Sequence, residues 1–122
     1  MNKVALGFVT GLLLSLNGYA ITTDTGARVP FTQAVGMKKF KENCAKCHGE
    51  WAKGTDAGPP LIHNYYKPDH HGDESFYRAA LNGVQAHHWR FGNMPPVENI
   101  KRKDITKIIN YVRWLQKANN LY

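Results

Sequence analysis

The sequence predicts an all-α domain of three main helices joined by two long loops, on three observations. Near the C-terminus Ile105, Ile108, Ile109, Val112 and Leu115 recur at helical spacing, with Lys107, Asn110, Arg113 and Gln116 on the other side. Nowhere do apolar and polar residues alternate as they would along a half-buried strand, and there is no internal repeat. Residues 49–72 and 84–99 are punctuated by glycine and proline too often for a long helix or strand. Loops of that length are unusual in so small a domain unless they enclose something, so the pattern implies a core that is not all protein.

The elements follow in order. Residues 1–20 read as a cleaved signal peptide: Lys3 gives a positive start, residues 4–16 are uncharged and mostly apolar, and Gly18 and Ala20 are the small residues that a processing site needs. The alternative is an uncleaved anchor, but the apolar run falls short of the about 20 residues that cross a bilayer. No later stretch is apolar enough to span one. Residues 21–30 are small and polar and read as a flexible leader closed by Pro30, leaving residues 31–122 as one domain. The first helix is predicted over residues 32–44, with Thr32 as N-cap and Val35, Met37 and Phe40 among lysines. The second opens on Asp73 and Glu74 and stops at Asn82-Gly83. The third opens with Asp104 as N-cap.

Composition narrows the function. The 122-residue chain carries a formal net charge of +7, and removal of Lys3 with the leader leaves +6. Such a charge suits nucleic acid, anionic lipid or an acidic protein. An exported chain rarely meets nucleic acid, and no basic stripe is interleaved with aromatics, so nucleic acid is set aside. Lys38, Lys39 and Lys41, and Lys101-Arg102-Lys103 with Lys107, are two positive runs. They would steer the protein to redox partners with acidic docking surfaces; plain solubility is the other use of such charge.

The two cysteines carry the chemistry. Cys44-Ala45-Lys46-Cys47-His48 is C-x-x-C-H, the attachment signature of a c-type haem. Each thiol can add to one porphyrin vinyl group, and the adjacent histidine then lies under the iron as a ligand. A redox-active cysteine pair would follow a strand and open a helix, whereas here the predicted helix comes first. A zinc site would need a second ligand pair. A disulfide across two residues would close a tiny loop and contribute little. The signature therefore predicts one covalent haem c on Cys44 and Cys47, with His48 on the iron.

With these residues in place, the chain resembles the class I c-type cytochromes over almost all of residues 31–122. Gly36 and Phe40 match that family's glycine and aromatic on the first helix, and Tyr111 the aromatic on the last, where the two helices cross closely. Gly58-Pro59-Pro60-Leu61 is similar to its G-P-x-L segment. The resemblance implies the cytochrome c fold, three main helices and long loops wrapped around one haem. It also implies that the Pro59 carbonyl orients His48, and that Met94, in Asn93-Met94-Pro95-Pro96, is the second axial ligand. Met37 lies too close to Cys44 to reach the far face, but His87 and His88 are rivals in the same loop as Met94.

The implied function is an exported, periplasmic monohaem electron carrier or relay subunit with no substrate chemistry of its own. The alternative is a haem enzyme or sensor with an open or histidine-ligated iron. His63, His70, His71, His87 and His88 have no role in the simple scheme. With Asp69 and Asp73 beside the first pair, they suggest a second metal near the haem edge. Otherwise these histidines, with Trp89 and Arg90, are solvated or donate to haem propionates.

Overall fold

The computed structural model describes residues 20–122, so the predicted leader lies, except for Ala20, outside the described residues. Four α-helices occur in the order α1 (Ala34–Asn43), α2 (Ala45–His48), α3 (Asp73–Asn82) and α4 (Arg102–Ala118). Short 3₁₀ turns lie at Phe31–Gln33 and Asn64–Tyr66. Among the described residues there is no strand, only isolated bridges pairing Thr22 with Arg28 and Val84 with Met94. The three main helices are α1, α3 and α4, and α2 is an added single turn that carries the haem-attachment signature. No helix of the described residues is long and apolar enough to cross a membrane.

Two helix starts differ from expectation. The chain leaves Pro30 extended and tightens into a 3₁₀ turn, with the Gln33 amide donating to the Pro30 carbonyl at 2.9 Å. Thr32 is thereby taken into that turn, and α1 begins two residues later without a side-chain cap. Likewise α4 starts at Arg102 after an extended Lys101, so Asp104 sits inside the first turn rather than capping it. There its carboxylate still favours the positive end of the helix dipole, and it lies 3.8 Å from Lys39 Nζ on α1. α3 runs as expected, from its acidic start to Gly83, whose φ of 78° reverses the chain.

α1 crosses α4 at Gly36. A Cβ there would stand 2.3 Å from the Lys107 carbonyl oxygen and 2.9 Å from Tyr111 Cβ, so the crossing requires the missing side chain. Phe40 and Tyr111, both fully buried, meet beside it with ring centroids 5.7 Å apart. Met37, Leu61, Val112 and Leu115 complete the small protein core. Val35, expected among the apolar residues of α1, faces outward.

Residues 21–30, read as a flexible leader, are held in a tight turn. The Thr23 amide donates to the Ala27 carbonyl at 2.8 Å and the Val29 amide to the Ile21 carbonyl at 2.8 Å. Thr23 is buried, Val29 packs against the core, and Asp24 pairs with Lys53 at 2.7 Å. The polar composition reflects the turn's own hydrogen bonding, including Thr23 Oγ1 accepting from the Ala27 amide, rather than freedom.

Candidate haem-binding site

Between the helices lies a cavity of about 820 Å³, within the roughly 300–1,000 Å³ range of ligand pockets. Ile105, Ile108, Ile109 and Val112 of α4 are among its apolar lining, so the α4 stripe serves both the protein core and the edge of this space. Cys44, Cys47, His48, Pro59 and Met94 all line the same cavity. Five residues drawn from three separate parts of the chain are thus brought together.

α2 sets the geometry of the first three. Cys44 joins α1 to α2, its amide still bonded to the Phe40 carbonyl, while its own carbonyl accepts from the His48 amide at 2.9 Å. Both thiols are free. Burial, with Cys47 adding to it, pushes the Cys44 thiol up to about 12. Burial thus favours the protonated thiol at Cys44. It remains able to form a neutral thioether.

His48 is buried, and its Nδ1 lies 2.8 Å from the Pro59 carbonyl oxygen. A carbonyl only accepts, so Nδ1 carries the proton and Nε2 keeps its lone pair. Burial lowers the His48 pKa, with the Pro59 bond opposing, and the ring stays neutral. A neutral imidazole fixed at Nδ1 with a free Nε2 is the form that binds a metal.

Pro59 is itself positioned by a loop clasped to α2. Thr55 Oγ1 donates to the Cys47 carbonyl at 2.6 Å, and the Gly54 amide to the His48 carbonyl at 2.7 Å. Gly58 lies so close that a Cβ would come within 2.9 Å of the Cys47 carbonyl oxygen.

Met94 is fixed by its backbone. Its amide donates to the Val84 carbonyl and its carbonyl accepts from the Val84 amide, each at 2.9 Å. Gly83 makes this possible, since a Cβ there would stand 2.6 Å from the Met94 carbonyl oxygen. His87 and His88, on the loop that this bridge closes, also line the cavity, whereas His63 and His70 do not. The walls, the thiols and the poised imidazole fit a covalently held porphyrin.

Comparison with known proteins agrees. The family model for cytochrome c matches residues 33–116. The chain belongs to the cytochrome c family. It is also similar to the cbb3-type cytochrome c oxidase subunit CcoP of Rubrivivax gelatinosus, with 32% identity over 94 residues, covering 75% of this chain. That alignment spans only 29% of the relative's length. No solved structure gives a significant match. The cofactor of this cytochrome is therefore covalent haem c, and its fold is the cytochrome c fold.

Some of the surroundings of the site had no signal in the sequence. Arg113 and Gln116, assigned to the outer side of the last helix, turn inward. Arg113 Nη1 donates to the Tyr66 carbonyl at 2.6 Å and Nη2 to the His71 carbonyl at 2.7 Å. Gln116 Nε2 donates to the carbonyls of Leu61 at 2.9 Å and Tyr66 at 3.0 Å. Together they tie α4 to the loop that enters α3. Asp73, offered as a ligand in the histidine cluster, is instead paired with Arg113 Nε at 2.9 Å.

Proposed function

We propose that this cytochrome is an exported, periplasmic carrier or relay of single electrons, with thioether links at Cys44 and Cys47 and axial ligands from His48 and Met94. When bound, the haem supplies a one-electron iron couple. The observation that carries the proposal is His48, whose ring is tied through Nδ1 to Pro59 and leaves Nε2 free on a cavity that Met94 also lines. Pro59 orients that ring, and the Val84 bridge holds the Met94 segment. With His48 and Met94 both holding the iron, no position would be left on it for a substrate. A thioether ligand also favours the reduced state.

The pattern of residues 1–20 supports export, and the likeness to an oxidase subunit supports work with redox proteins of a respiratory complex. The positive runs differ in what they offer such partners. Lys38 and Lys39 pair with Glu42, each at 3.9 Å, and Lys41 with Glu50 at 3.6 Å, so the α1 run is largely neutralised. Lys103 and Lys107 are exposed and make no ion pair among the described residues, which favours the start of α4 for docking to an acidic protein.

His87 and His88 line the cavity too, and they favour a second possibility, a histidine-ligated or opened haem. Oxidised and reduced spectra of the haem-loaded protein and of Met94→Ala decide between them. Met94 ligation predicts a weak sulfur-to-iron charge-transfer band in the oxidised protein and its loss in the variant. It also predicts a lower reduction potential for the variant and no ready carbon monoxide binding by the wild type. A wild type without the band, spectrally unchanged by Met94→Ala, would transfer the ligand role to the His87-His88 loop.

A further inference from the structure

Four histidines that the haem site does not require converge at the rim of the cavity. His70 and His71 follow a turn in which the Lys67 carbonyl accepts from both of their amides, at 3.0 and 2.8 Å. His87 and His88 come from the loop closed by the Val84–Met94 bridge. Nε2 of His70 lies 3.4 Å from Nε2 of His88. One ring nitrogen from each of His70, His71 and His88 falls within 4.8 Å of the others. His87 stacks on His71 with ring centroids 5.9 Å apart.

The spacing suits an ion better than it suits the imidazoles alone. Four nitrogens placed tetrahedrally at 2.0–2.1 Å from zinc are about 3.3–3.4 Å apart, which is the His70–His88 separation. Without an ion, two facing ring nitrogens share at most one proton, across a long contact.

The rings are also held ready. His71 Nδ1 donates to the Tyr65 carbonyl, which leaves Nε2 as the ligating atom, the arrangement usual for a metal-bound histidine. His88 stacks on Tyr65 at 4.4 Å between centroids. Arg113, mostly buried, fixes the His71 carbonyl from α4. Partial desolvation lowers the pKa of both His71 and His88, and neighbouring histidines add to it, so both rings are neutral near neutral pH.

We propose that His70, His71 and His88 bind one borderline divalent transition-metal ion, Zn²⁺ or Cu²⁺, at the edge of the haem cavity, with His87 beside them and one coordination position open. An all-imidazole set selects this class over Mg²⁺ or Ca²⁺, which take oxygen ligands. His63 is excluded, because its Nδ1 accepts the Tyr65 amide at 3.2 Å and it lies outside the group.

His70 separates this role from contact with the haem, since it belongs to the histidine group but does not line the cavity. The test is calorimetric titration of chelator-treated, haem-loaded protein with ZnCl₂ near neutral pH, for wild type, His70→Ala, His88→Ala and His63→Asn. The expected result is one equivalent bound by wild type and by His63→Asn. In the His70 and His88 variants affinity should fall by at least about a hundredfold, the upper end of what losing a mere supporting partner costs. The His70→Ala haem spectrum should match the wild type. Absence of binding by the wild type, or equal binding by all four proteins, would overturn the proposal. So would a haem spectrum altered by His70→Ala, which would make the histidine a haem contact instead.

Discussion

At the scale of single residues, the fold depends on positions where an atom's absence or a proton's place is decisive. Gly36 is the sharpest. Its neighbours across the helix crossing are a backbone carbonyl of α4 and Tyr111 Cβ, and neither can swing aside as a long side chain would. Gly36→Ala should therefore push the helices apart and destabilise the haem-loaded protein by about 1–3 kcal/mol, the usual cost of overpacking. Guanidinium denaturation followed at the haem absorption would show this as a lower midpoint; an unchanged midpoint would mean the helices part freely. Gly36, Phe40 and Tyr111 were legible in the sequence only through the resemblance to class I c-type cytochromes, which carry a glycine and aromatics at these places on the first and last helices. The inward turns of Gln116 and Arg113 were not. Helical periodicity assigns polar residues outward by default, and their partners are carbonyls far away in the chain, Leu61, Tyr66 and His71.

At the scale of elements, the helices were more legible than their ends, and the loops' existence more than their form. The α4 periodicity gave the helix and its apolar side, but Asp104 at its start was indistinguishable from a cap without the extended Lys101 before it. Glycine and proline marked both long loops. The loop histidines were singled out as a possible second metal site, but which of them meet was not legible, because convergence of His70-His71 with His87-His88 depends on the turn at Lys67 and the Val84–Met94 bridge. That convergence has a consequence for stability. The folded His71 and His88 pKa values lie below the ordinary 6.5, since desolvation and facing imidazoles disfavour the charged rings. The unfolded chain thus binds more protons in mildly acidic solution, and stability must fall as pH drops below about 6.5 and through the lower folded values. Denaturation midpoints of chelator-treated protein should decline from neutral to mildly acidic pH, and less steeply in a His71→Gln, His88→Gln double variant. A decline identical in both proteins would place the acid sensitivity elsewhere.

At the scale of the whole molecule, the protein's own core is small beside the space it borders. Met37, Phe40, Leu61, Tyr111, Val112 and Leu115 pack where α1 meets α4, yet beside them lies a cavity of about 820 Å³ lined in part by the isoleucines of α4. Unfilled, that space deprives the side chains around it of packing partners, which weakens the haem-free chain relative to the haem-loaded one. On the proposed reading, thioether links at Cys44 and Cys47 would make that filling permanent. The same relation explains why 49–72 and 84–99 are long: they have to pass around a group wider than a helix. Chain produced without haem attachment should show reduced helical circular dichroism and no cooperative thermal transition, while the haem-loaded protein melts cooperatively. If the haem-free chain instead melted in one sharp transition with the same helical signal, the cavity would be a feature that protein packing alone can maintain.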